Sequence, residues 1–133
     1  MKQCAIFLFI GMLIGWSPAV SGGEITGPAD TVQQFFMASK GGEIETMKNL
    51  ITGPFFNRRK SLIERNPGYP DFLRKQLDGV EIEILSTVTG NDGSSAFVTV
   101  RRHYPDGSIF DTKFTLKKSD NVTWKIFDER PVQ

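Results

Sequence analysis

The chain reads as an α+β domain, with N-terminal helices laid against a four-stranded antiparallel meander. Three observations predict this. Apolar residues recur at helical spacing from Val32 to Leu77. From Val80 onward the period changes to two, as a pleated strand requires. The alternating segments are joined by turns too short for anything but hairpins, which makes the sheet antiparallel.

A leader precedes the domain. Lys2 is positive, Ala5 to Trp16 is apolar, and Ala19-Val20-Ser21-Gly22-Gly23 is small. That order is the pattern of a cleavable secretory signal. The apolar run is short for a membrane-spanning helix. The expected cut follows Ser21, with Gly22 and Gly23 as alternative positions; an uncleaved anchor is the competing reading. The only cysteine, Cys4, lies before the apolar run, whereas a lipidated cysteine would come after it. The chain is therefore divided into a signal at 1–21 and one domain at 22–133, exported to the periplasm or the medium, with no membrane contact after cleavage.

Removing 21 of the 133 residues leaves 112, enough for a core without staples. The mature part has no cysteine, which excludes disulfides and thiol chemistry. Loss of Lys2 takes Lys+Arg from 16 to 15, matching the 15 acids. A neutral domain lacks the positive excess on which non-specific nucleic-acid binding depends, so no nucleic-acid partner is expected.

The first helix opens at Thr26-Gly27-Pro28, with Pro28 suited to the first helical position. Val32, Phe35, Phe36 and Ser39 share its face, and Gly41-Gly42 ends it. The second runs from Glu43 to Ile51 with Ile44, Met47, Leu50 and Ile51 inward; Gly53-Pro54 stops it. Phe55 to Arg65 is the third, broken by Asn66-Pro67-Gly68, and Pro70 to Leu77 adds a short fourth.

In the first strand Val80, Ile82, Ile84, Ser86 and Val88 are expected on one face, before the Asn91-Asp92-Gly93 turn. Ala96, Val98, Val100 and Arg102 share a face of the second. At Tyr104-Pro105-Asp106-Gly107, Pro presets one corner and Gly takes the left-handed one. A three-residue loop there pairs Tyr104 with Ser108, and so sets Arg101 opposite Asp111 and Thr99 opposite Lys113. Phe110, Thr112, Phe114 and Leu116 share a face of the third strand; Val122, Trp124, Ile126 and Asp128 are expected on one face of the fourth. The even-numbered face is the more apolar and is expected to receive the helices.

Phe35-Phe36-Met37-Ala38-Ser39-Lys40-Gly41-Gly42, the helix start Glu43-Ile44-Glu45 and the closing Trp124-Lys125-Ile126 resemble the nuclear transport factor 2-like superfamily. The resemblance is to small exported bacterial members described as lumazine-binding-like, and it covers nearly the whole mature chain. Glu43 stands where the family often has Asp. The resemblance implies a cystatin-like cone, a curved sheet wrapped around a long helix, often enclosing a pocket. Members include enzymes, ligand binders and dimerising adaptors, and fold does not choose among them. No catalytic set maps onto this chain.

Two polar residues interrupt the apolar face, Arg102 and Asp128. Strand order puts them at one end of the sheet, on one side, roughly 10 Å apart with Phe110 between. Arg102, Asp128, Phe110, Thr112 and Tyr69 are the pocket candidates, suited to a small polar or anionic molecule. The competing reading of Arg102 and Asp128 is a structural ion pair or a solvated rim. Asp128 is also the candidate base of an isomerase-, dehydratase- or hydrolase-like enzyme, which requires it to be desolvated with a raised pKa.

His103, the only histidine, falls on the opposite face and has no partners at metal-ligand spacing, so neither metal nor cofactor is implied. No serine carries a nucleophile signature, and neither Gly-Gly pair forms a phosphate loop. Asn57-Arg58-Arg59-Lys60 reads as a solvated helix face. Asn121-Val122-Thr123 matches a glycosylation acceptor, relevant only to a eukaryotic secretory route. The odd-numbered face mixes Leu85, Phe97, Ile109 and Phe127 with charges, which suits a homodimer through the outer sheet face or a monomer with scattered apolar residues. The sequence is thus compatible with three functions: a non-catalytic ligand-binding module, a small-molecule enzyme, or an adaptor.

Overall fold

The computed structural model describes residues 27–132. The leader, its cleavage point and Cys4 lie outside the described residues. No helix among the described residues is long and apolar enough to cross a membrane.

Four helices precede four strands: α1 (Pro28–Gly41), α2 (Ile44–Asn49), α3 (Gly53–Arg65), α4 (Tyr69–Gln76), β1 (Glu81–Thr89), β2 (Ser95–His103), β3 (Ile109–Lys118) and β4 (Trp124–Pro131). The strands form one antiparallel sheet in the order β1-β2-β3-β4. Helices cover one face of it.

Local chemistry sets the helix ends. Pro28 begins α1, where its missing N–H would have no intrahelical partner. Gly42 closes it at φ 67°; its N–H donates to the Ser39 carbonyl and the Glu43 N–H to the Ala38 carbonyl. The Thr52 hydroxyl caps α3 by accepting from the Phe55 N–H at 3.3 Å. Between α2 and α3 the chain runs briefly beside β4: the Ile126 N–H donates to the Leu50 carbonyl and the Thr52 N–H to the Ile126 carbonyl. That pairing covers part of the β4 edge. At the C-terminal end of α1, Lys40 Nζ donates to the Val80 carbonyl at 2.8 Å, tying the helix to the start of the sheet.

The core lies between the helices and the inner sheet face. Val32 from α1 and Phe55 from α3 pack with Val98, Val100, Leu116 and Ile126, all essentially inaccessible to solvent. Burial of this apolar surface is the main force holding the two layers together. Thr31 is buried among them, its hydroxyl 3.3 Å from the Gly27 carbonyl oxygen and 3.4 Å from that of Trp124.

The β2–β3 hairpin has the register that its turn chemistry predicts: Arg101 opposite Asp111, Thr99 opposite Lys113, and the Tyr104 N–H donating to the Ser108 carbonyl. Two strands depart from strict alternation. In β1, Leu85 is a bulge, so Ile84 pairs with Val100 but Ser86 pairs with Thr99. Ser86 and Val88 therefore move to the outer face, where Val88 is exposed beside Phe97. In β4 the extra residue is Phe127: Leu116 pairs with Ile126, Thr115 with Asp128 and Phe114 with Glu129. Asp128 thus shares the outer face with Thr115, and Glu129 takes the inner position expected for it. Each bulge adds a residue to one side of a ladder, which bends the strand and inverts the facing of every residue beyond it. Val122 stays out of β4, exposed in a turn that Asp120 organises by accepting from the Val122 and Thr123 N–H groups.

Candidate functional site

A cavity of about 240 Å³ lies between the helices and the inner sheet face. Its walls are mostly apolar: Val32 and Phe35 from α1, Phe55 and Ile63 from α3, Val100 and Phe114 from the sheet. The Phe35 and Phe55 rings meet at 6.3 Å between centroids, tilted by 40°. Exposed Gln76, with half-buried Tyr69 and Tyr104, marks where the cavity reaches the surface.

Charged groups converge at one part of this wall. Arg102 projects from β2, Glu129 from β4 and Arg59 from α3. Arg102 Nη2 donates to Glu129 Oε2 at 3.0 Å, and Arg59 Nη2 reaches Glu129 Oε1 at 3.5 Å. Arg59 also lays its guanidinium 4.5 Å from the centroid of the Phe55 ring, a cation–π contact that fixes its stem along the wall. Tyr69, at the start of α4, completes the group. Burial pushes its phenol up; the Arg59 charge opposes this and the Glu129 charge adds to it. Tyr69 therefore keeps its proton at neutral pH and is available as a donor.

No protein-family model matches the chain, and no curated protein matches its sequence. Solved structures do share its shape. A Campylobacter jejuni protein named as a candidate NTF2-like transpeptidase aligns with 77% of this chain and 99% of its own, at TM-score 0.58 and 15% identity. A SEC-C motif containing protein from Rhodopseudomonas palustris aligns over 80% of this chain and 79% of its own, at TM-score 0.54 and 14% identity. The intermembrane space region of the chloroplast protein ARC6 aligns over 77% and 92%, at TM-score 0.50 and 13% identity.

The chain has the nuclear transport factor 2-like fold.

Within this NTF2-like cone the five residues singled out from sequence separate into two groups. Arg102 and Tyr69 line the cavity; Asp128, Phe110 and Thr112 do not. Phe110 pairs with Arg102 but is about half exposed at the sheet end. Thr112 is fully buried, and its hydroxyl has no hydrogen-bond partner among the described residues.

Asp128 requires a correction. The bulge at Phe127 turns it to the outer face, where Oδ2 accepts from Arg130 Nε at 2.8 Å and Oδ1 lies 3.5 Å from Arg58 Nη2. The hydrogen bond from Arg130, helped by the charges of Arg130 and Arg58, holds its carboxyl below the usual range. A general base of the kind expected needs the opposite environment, a desolvated carboxyl with a raised pKa.

Arg59 and Glu129 were not anticipated. Arg59 carried a signal: Phe55, Arg59 and Ile63 are spaced by four, so Arg59 lies on the buried stripe of α3 rather than its solvated face. Its neighbour Arg58 donates to the Phe127 carbonyl at 2.8 Å, satisfying a polar group at the bulge. Glu129 carried none, because its inward facing depends on that bulge.

His103 lies on the outer face, its Nε2 3.0 Å from Glu83 Oε1. No cluster of three or more potential metal ligands occurs among the described residues. On the same face Phe97 and Phe127 are overlain by Lys113 and Lys117, at 4.9 and 4.1 Å from the ring centroids.

Proposed function

We propose that this domain is a non-catalytic binding module that acts after export and holds a small, mainly apolar molecule in its cavity. The observation that carries this reading is the cavity itself, with apolar walls and a few polar groups gathered at one place. That composition is typical of small-molecule sites: apolar surface supplies affinity and a few polar groups fix orientation. The absence of catalysis rests on how the acids are held. Glu129, the one carboxylate in the cavity wall, is engaged by two guanidiniums. Asp128 faces away with a lowered pKa. A general base must present a free carboxylate oxygen to its substrate; both Glu129 oxygens face guanidiniums, and Asp128 lies on the other side of the sheet. The transpeptidase name of the Campylobacter jejuni neighbour is not carried over, because likeness at 15% identity is a likeness of fold.

Titration with the neutral fluorophore N-phenyl-1-naphthylamine tests this reading. The domain is expected to enhance its emission saturably, with one probe per chain. Leu73→Trp, which fills the cavity from α4, is expected to abolish the signal while the far-UV spectrum is unchanged. An unsaturable signal, or one indifferent to Leu73→Trp, would reject the cavity as the site.

A further inference from the structure

The charges on the cavity wall specify the head group of the ligand, an inference that rests on the binding reading above. Two guanidiniums, Arg59 and Arg102, face a single carboxylate, Glu129, so the group carries 2 − 1 = +1. Each guanidinium has five N–H donors, yet each gives only one to Glu129. Tyr69 brings a protonated hydroxyl to the same cavity. The remaining donors and the unmatched charge sit beside apolar walls, where burial under a ligand is unfavourable unless that ligand supplies a counter-charge. The side chains of Arg102 and Glu129 are already mostly shielded, at 20% and 23% exposure. An incoming group therefore meets them at short range and in reduced dielectric.

We propose that the cavity takes an amphipathic monocarboxylate. Its apolar tail lies along the Phe35–Phe55 wall, and its carboxylate joins Glu129 between Arg102 and Arg59, with Tyr69 as a further donor. A planar carboxylate matches the guanidinium fork. A cationic head group would be repelled, and a neutral one would leave the positive charge unmatched. Glu129 is then an internal competitor of the ligand: it keeps the two arginines in place in the empty domain and limits affinity in the filled one.

The test compares octanoate, 1-octanol and octylamine as competitors of N-phenyl-1-naphthylamine at pH 7. Octanoate is expected to displace the probe about tenfold more effectively than octanol, the scale of one charge-assisted contact. Octylamine is expected to be the weakest of the three. Arg102→Gln should bring the octanoate-to-octanol ratio close to one. Glu129→Gln should raise that ratio several-fold, because it frees both guanidiniums. Circular dichroism checks that both variants fold. Equal displacement by octanoate and octanol, or a ratio unmoved by Glu129→Gln, overturns the carboxylate inference and leaves the cavity reading standing. Failure of the probe and of all three competitors to bind overturns both.

Discussion

Arg102 and Glu129 meet at 3.0 Å although their strands are not neighbours. Arg102 is paired with Phe110 and Glu129 with Phe114, so their side chains span the inner face of β3 diagonally across Thr112. The contact joins β2 to β4 on the cavity side. Its strength is measurable by a double-mutant cycle with Arg102→Ala and Glu129→Ala. Both side chains keep partial solvent access, so a coupling of about 1 kcal/mol is expected, weakening in high salt. The corresponding cycle between Arg102 and Asp128 should show additivity, because the two lie on opposite faces.

Thr112 presents a buried hydroxyl without a partner among the described residues. Such a group loses its hydrogen bond to water on folding and regains none. Thr112→Val replaces it with a methyl of similar size. The variant is expected to be more stable than the parent by about 1 kcal/mol in urea unfolding. A loss of stability would mean that the hydroxyl is satisfied in solution.

Gly42 takes φ 67°, and a Cβ there would lie 2.9 Å from the Arg74 guanidinium carbon. Arg74 in turn donates to the Gly41 carbonyl at 3.1 Å, which ties α4 to the end of α1. Gly42→Ala is expected to cost about 1–2 kcal/mol from backbone strain alone, and more if Arg74 must move. In an Arg74→Ala background only the strain remains, so the penalty of Gly42→Ala should be smaller there. Equal penalties in both backgrounds would show that Arg74 yields freely.

Several aspartates are held below the ordinary carboxylate pKa. The Ser94 N–H lowers Asp92, the Ser108 hydroxyl and N–H lower Asp106, and the Thr123 and Val122 N–H groups lower Asp120. The Arg101 hydrogen bonds lower Asp111, and Arg130 lowers Asp128. A depressed folded-state pKa means that the unfolded chain takes up protons first. The stabilisation is complete above the unfolded value of about 4 and is lost as pH falls through the folded one. The urea midpoint should therefore be insensitive to these groups from about pH 5 to 8 and fall below about pH 4. Asp120→Ala should remove part of that acid-side slope; an unchanged slope would show that the turn carboxylate contributes nothing.

The architecture was legible because its signals are local. Gly and Pro mark the ends of α1 and α3, and Pro105-Asp106-Gly107 sets a hairpin register that places Arg101 against Asp111, at 2.9 and 3.1 Å in a two-point pair. The second helix stops at Asn49, short of the expected Ile51, because the chain there turns to pair with Ile126. Of the residues expected at a pocket, Arg102 and Tyr69 line the cavity. Arg102 lies inward because the alternation of β2 is unbroken.

The rest of the site was decided in three dimensions. Strict alternation sends Asp128 inward and Glu129 outward, and one unpaired residue, Phe127, reverses both. Nothing in Phe127 or its neighbours announces a bulge. It exists where β3, the bridge from Ile51 to Ile126 and the Arg58 hydrogen bond to the Phe127 carbonyl all act on one strand. Sequence by itself determined the elements, their order and most of the buried face, since periodicity and turn chemistry act within a few residues. Which carboxylate stands beside Arg102 was left to the tertiary structure, because a bulge is a property of paired strands and not of one strand alone.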